Sequence, residues 1–137
     1  MVPTGQAARI THLFAGVPTA DFEPAVSWYE LFLDRPPDRF PHELEAVWQL
    51  ADGGLLYLVA DAGRAGNALV TLIVADLDAW ITRLDNAGIS PGETEDLAGG
   101  VRKTTILDPD GNTVSIGQVS NPWGVSCGGS DPAEGEG

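Results

Sequence analysis

The stretch Ile106-Leu107-Asp108-Pro109-Asp110-Gly111-Asn112-Thr113-Val114-Ser115-Ile116 reads as two strands joined through a tight turn. Proline presets φ for a turn and glycine accepts φ > 0, so Asp108-Pro109-Asp110-Gly111 reverses the chain for a stated reason. Residues 101–107 and 113–119 are the strands on either side. The second alternates cleanly. Thr113, Ser115 and Gly117 are small or polar, whereas Val114 and Ile116 are β-branched. Successive strand residues point to opposite faces, so one face is packed and the other carries small groups.

Upstream lies a strand over residues 69–74, then Asp76 placed as a helix cap. Leu77, Trp80, Ile81 and Leu84 mark one helix face, and Gly88 stands where a helix ends in a left-handed residue. The first half of the chain has the same order. Residues 9–17 alternate as a strand and turn at Pro18. Residues 20–33 read as a helix with Asp21 as N-cap, Glu23 and Pro24 in the first turn, and Phe22, Val26, Tyr29 and Leu33 as its buried stripe. Arg35-Pro36-Pro37 stops it. Residues 46–51 and 55–60 form a hairpin about Asp52-Gly53-Gly54, and residues 64–67 are a polar link.

Strand, helix, strands therefore occurs twice. A shift of 57 sets Val17 on Val74 and His12 on Leu69, and a shift of 58 sets Tyr57 on Ser115. The expected organisation is a lead over residues 1–7, one domain over 8–120 with halves 8–62 and 67–119, and an acidic, Gly-rich tail over 121–137.

At 137 residues, 43% hydrophobic and 20% charged, the chain has the size and composition of one globular domain. Twenty acids against seven Lys and Arg give a formal charge of −13, with Asp131, Glu134 and Glu136 in the tail. That field repels nucleic acid and favours cationic ligands. One cysteine, Cys127, precludes an intrachain disulfide, and a cytoplasmic location is expected. Residues 1–8 show no signal-peptide pattern, and no apolar run reaches the ~20 residues that span a bilayer, so no membrane association is expected.

The 106–116 stretch, Ile10-Thr11-His12 on a first strand, and a following helix with Trp28-Tyr29-Glu30 together resemble the glyoxalase/bleomycin resistance/dioxygenase (vicinal oxygen chelate) superfamily over about residues 8–119. The resemblance implies an α+β fold: two βαβββ modules forming a curled mixed sheet around a cavity. It also implies a homodimer. Metalloenzymes of the family hold an ion with four side chains, typically His, Gln and Glu. Carried over, those positions fall on His12, Tyr57, Leu69 and Ser115. Only His12 matches. A divalent ion needs several N or O donors at about 2.0–2.2 Å, which this set does not supply. No metal and no cofactor are expected. His42, Glu43 and Glu45 lie on a Pro-flanked loop and read as a solvated surface.

Strand parity then gives the cavity lining. His12, Phe14 and Gly16 share a face, as do Leu55, Tyr57 and Val59, and Leu69, Thr71 and Ile73. Either Trp48 or Gln49 joins them. The candidate ligand-binding set is His12, Phe14, Trp48, Gln49, Tyr57, Leu69, Thr71 and Ser115, apolar and aromatic with a few polar groups, as small-molecule pockets are.

Three functional readings stay open. The first is a small-molecule-binding protein of the antibiotic-sequestering kind, with a cationic or aromatic ligand. The second is a metal-independent isomerase or lyase on a small carbonyl compound, with His12 as base and Tyr57 and Ser115 as donors to developing negative charge. The third is a metal-dependent glyoxalase- or dioxygenase-type enzyme whose ligands lie elsewhere.

Overall fold

The computed structural model describes residues 8–120. The lead over residues 1–7 and the tail from 121, with Cys127, lie outside the described residues. Within these bounds are two βαβββ modules, each a four-stranded mixed sheet that does not close on itself.

The first module holds β1 (Leu13–Thr19), α1 (Phe22–Leu33), β2 (Arg39–His42), β3 (Glu45–Ala51) and β4 (Gly54–Ala60). Its strand order is β1-β4-β3-β2, with β1 parallel to β4 and the other pairs antiparallel. The second holds β5 (Leu69–Ile73), α2 (Leu77–Asn86), β6 (Thr94–Leu97), β7 (Val101–Leu107) and β8 (Thr113–Val119), in the equivalent order β5-β8-β7-β6. Residues 107–113 pack as part of the first unit, and the rest of 69–120 forms the second.

Helix α1 packs by Ala25, Tyr29, Phe32 and Leu33, all buried. Phe22 and Val26, expected in the stripe, are half-buried at its margin. Trp28 stacks on Phe32 at 5.0 Å between ring centroids and meets Tyr29 edge-on at 4.8 Å. The sheet side of this core is Val17, Ala46, Trp48, Leu56 and Leu58. Each large apolar side chain so buried contributes about 1.5–3 kcal/mol. Asp34 ends α1 in the left-handed region at φ 61°.

Two boundary expectations need correction. β1 begins at Leu13, so His12 precedes it, and it runs through Pro18 to Thr19. Proline is tolerated there because β1 is a terminal strand, where a missing N–H need not break a ladder. Strands β2 and β6 did not stand out in the sequence. Both are four residues long and exposed throughout, so neither has the apolar alternation that marks a strand.

In the second unit α2 buries Leu77 and Leu84. The Asp76 side chain accepts the Ala79 N–H at 3.1 Å, the N-cap read from the sequence, and Gly88 has φ 82°. Gln118 on β8 accepts the Leu77 N–H at 2.7 Å and so fixes the helix start to its own sheet. Asp21 is extended like an N-cap, but its side chain makes no cap bond. The Thr19 hydroxyl accepts the Asp21 N–H instead.

The 108–112 turn does more than reverse the chain. The buried Asp108 carboxylate accepts the Tyr29 hydroxyl at 2.7 Å, the N–H groups of Asp110 and Asn112 at 2.9 Å each, and the Asn112 amide at 2.9 Å. Asp110 accepts the Thr19 hydroxyl and the Ala20 N–H. Asn112, fully buried, donates to the Pro18 carbonyl and accepts the Ala68 N–H, both at 2.9 Å. The junction of β1 with α1 is thus held by residues some ninety positions later in the chain.

Candidate functional site

The face of the first sheet opposite α1 is open. Register places its side chains in two rows. Arg39 lies opposite Val47, Val47 opposite Tyr57, and Tyr57 opposite Gly16. In the neighbouring row Gln49 lies opposite Leu55 and Leu55 opposite Phe14. At about 4.8 Å between strands, each row crosses about 10–14 Å.

A concavity of about 470 Å³ lies on this face, lined by His12, Phe14, Asp38, Arg39, Val47, Gln49 and Leu55. Its floor is Val47 and Leu55. Phe14 stands to one side, 45% exposed, with its ring 6.2 Å from that of Tyr57. The Tyr57 ring leans over Gly16, where a Cβ would come within 2.6 Å of Cζ and Oη. The glycine therefore lets the tyrosine lie towards β1.

His12 is set by the hairpin. Gly53 accepts the Leu13 N–H at 2.7 Å, and a Cβ on Gly53 would stand 2.5 Å from the Thr11 carbonyl. This close approach, with no positive φ, is what the Asp52-Gly53-Gly54 glycine supplies. His12 is exposed and its Nδ1 pairs with the Thr11 hydroxyl at 2.9 Å.

Asp38 closes the far side. Its N–H donates to the Val47 carbonyl at 2.7 Å, and its carboxylate accepts the Gln49 N–H at 2.6 Å and the Arg35 guanidinium at 3.1 Å. The carboxyl is held below its usual range, first by the Gln49 N–H, over the opposing effect of desolvation, and then by Arg35 and Arg39.

Four of the expected residues, His12, Phe14, Gln49 and Tyr57, thus share one face of the first sheet. Trp48 does not. It is fully buried, its ring 6.1 Å from Tyr29, and its indole N–H donates to the Arg35 carbonyl at 2.9 Å. Of the alternatives Trp48 and Gln49, Gln49 faces the concavity.

Leu69, Thr71 and Ser115 belong to the second sheet. Leu69 is 84% exposed and Thr71 is exposed beside it on β5, whereas Ser115 is buried in β8. Arg39, Asp38 and Val47 were missed by sequence reasoning. Their signal was architectural: a βαβββ module needs one more strand between α1 and residue 46.

The four positions at which metalloenzymes of this fold would place ligands do not fit an ion. Leu69 offers no donor, and a phenol and a hydroxyl are poor ligands while protonated. Among the described residues no three His, Cys, Asp or Glu side chains form a group that could hold one. His42 and Glu45 instead pair at 3.0 Å across the β2–β3 hairpin, with His42 exposed. No described helix is long and apolar enough to cross a membrane.

The model of the Glyoxalase/Bleomycin resistance protein/Dioxygenase superfamily matches residues 7–116. No curated protein matches the chain in sequence. Among solved structures, a glyoxalase / bleomycin resistance protein from Catenulispora acidiphila DSM 44928 is 48% identical, covering 79% of this chain and 97% of its own, with a TM-score of 0.74. The antibiotic binding protein TnmS3 from Streptomyces sp. CB03234 is 25% identical, covering 82% and 98%, with a TM-score of 0.66. The bleomycin resistance determinant encoded on transposon Tn5 has the same fold at 20% identity, covering 80% and 98%, with a TM-score of 0.67. The family model spans most of the chain and a solved relative is 48% identical over 79% of it: this protein belongs to the Glyoxalase/Bleomycin resistance protein/Dioxygenase superfamily.

Proposed function

We propose that this chain is a small-molecule-binding protein of the antibiotic-sequestering kind, working as a cytoplasmic homodimer without a catalytic metal or cofactor. The observation that carries the reading is the concavity of about 470 Å³ with a Val47 and Leu55 floor, a Phe14 wall and polar groups at its rim. That is the volume and chemistry of a site for a drug-sized organic molecule. The likeness to an antibiotic binding protein and to a bleomycin resistance determinant supports the same reading. Dimerisation is supported by terminal strands β1 and β5 carrying Leu13 and Leu69, 74% and 84% exposed.

The test is a thermal-shift screen of the purified chain against antibiotics and small metabolites, in parallel arms with chelator and with divalent metals. A ligand that binds only the folded state raises the midpoint by mass action, about 2.7 kcal/mol of stabilisation at one hundred times Kd. A shift that chelator leaves unchanged supports binding without metal. Loss of stability with chelator, or a shift with metal alone, overturns the metal-free reading. A blank screen overturns the binding reading. Sedimentation of the same sample reads the assembly, and a monomer at all concentrations overturns the dimer.

A further inference from the structure

The concavity on the first sheet sets an arginine, Arg39, beside Asp38 on a chain that is acidic as a whole. Acids outnumber Lys and Arg by 20 to 7, so a basic side chain that makes no ion pair is unexpected. Arg39 is such a residue. Arg35, Arg64 and Arg102 each pair with a carboxylate, while Arg39 has no ion pair among the described residues. It lines the concavity. The acid beside it, Asp38, has its carboxylate committed to the Gln49 N–H and to Arg35. The guanidinium acts on Asp38 through its charge but makes no ion pair with it, which leaves its N–H groups for a ligand, with the His12 ring and the Gln49 amide as hydrogen-bonding groups nearby.

We infer that this concavity takes an aromatic or apolar carboxylic acid, its carboxylate on Arg39 and its body along Val47 and Leu55 against Phe14. This rests on the binding reading above and names the ligand class of that site. Guanidinium matches carboxylate with two parallel N–H···O bonds, which fixes orientation as well as affinity. Arg39 and Val47 are directly opposite on β2 and β3, so a carboxylate on the arginine starts its body over the apolar floor. The length from there to Phe14, about 10–14 Å by strand spacing, suits a fused two- or three-ring acid. The net charge of −13 points towards cations. Local chemistry decides contact, whereas net charge acts at longer range and is screened within about 10 Å at 0.1 M salt.

The test uses the full chain and three probes of one shape: 2-naphthoate, 2-naphthamide and 2-naphthylmethylammonium, titrated by calorimetry against wild type, Arg39→Gln, Arg39→Lys and Phe14→Ala. The acid is expected to bind best, by about 10- to 100-fold over the amide. Arg39→Gln should erase that preference at an unchanged thermal midpoint, since Arg39 is exposed. Arg39→Lys should recover part of it, and Phe14→Ala should weaken acid and amide together. Amide or ammonium binding as well as the acid overturns the acid assignment and leaves the binding reading standing. So does acid preference that survives Arg39→Gln. Failure of all three probes overturns the aromatic-acid assignment, while the binding reading falls only if the thermal-shift screen is also blank.

Discussion

At the scale of single residues, two glycines make opposite demands. A Cβ at Gly16 would meet the far end of the Tyr57 ring at 2.6 Å, which can swing away. A Cβ at Gly53 would meet the Thr11 backbone carbonyl at 2.5 Å, which cannot. Gly16→Ala should therefore cost less than about 1 kcal/mol but push Tyr57 towards the concavity and weaken ligand binding. Gly53→Ala should destabilise by about 1–3 kcal/mol, the usual cost of overpacking, and free the Thr11–His12 segment. Denaturant melts and titration of any ligand found in the screen check both; a larger stability loss for Gly16→Ala than for Gly53→Ala would refute the contrast. The second sheet uses the same device, with Ile73 and Thr71 lying over Gly117. Face assignment was legible in the sequence wherever alternation was clean, as at Phe14, Tyr57 and Val17. It was not legible at Trp48 and Gln49. The hairpin closes with Ala51 opposite Gly54, and a regular ladder from there would set Trp48 opposite Tyr57 on the open face. An extra residue between Gln49 and Ala51 shifts the register, so Val47 faces Tyr57 and Trp48 turns into the core.

At the scale of elements, the 108–112 turn was legible as a turn and illegible as a clamp. Its proline and glycine announce the reversal locally, but its partners Tyr29, Thr19 and Pro18 lie 79 to 94 residues away in sequence. The Tyr29–Asp108 bond is buried and made to a carboxylate, so Tyr29→Phe should cost about 1.5–3 kcal/mol. Tyr29 also gives an alkaline signature. Burial first, and then the hydrogen bond to Asp108, raises its pKa above the ordinary phenol value of 10.0. A raised folded-state pKa means the stabilisation is fully present below the unfolded value and is lost as pH rises above it. Wild type should therefore lose stability above about pH 10, and Tyr29→Phe should lose less over the same interval. Urea melts between pH 8 and pH 11 read both quantities, and parallel pH profiles for the two proteins would show that Tyr29 does not govern the alkaline limb. The short strands β2 and β6 were hidden for a related reason. An exposed four-residue terminal strand is specified by its neighbours and not by its own pattern.

At the scale of the molecule, the repeat was legible because it is written in element order: β1 to β4 and β5 to β8 give the same sheet twice. Charge was legible too, and its total bears on stability. A net −13 on 137 residues is a field of self-repulsion, whereas the ion pairs Arg35–Asp38, Arg64–Asp61 and Arg102–Asp78 are exposed. Exposed pairs contribute about 0–1 kcal/mol each, so screening them removes little. Screening the repulsion removes more, because the Debye length falls from about 30 Å at 0.01 M salt to about 8 Å at 0.15 M. The thermal midpoint at pH 7 should therefore rise by a few degrees between these concentrations of sodium chloride. Chloride is the right salt for the measurement, since sulfate also strengthens apolar burial and would raise the midpoint of a neutral protein. A midpoint that falls with sodium chloride would mean that the ion pairs outweigh the repulsion. The surplus acids would then be arranged around the bases closely enough to stabilise the fold. Arg39, which lies beside Asp38 without an ion pair to it, would still have its N–H groups open to a ligand.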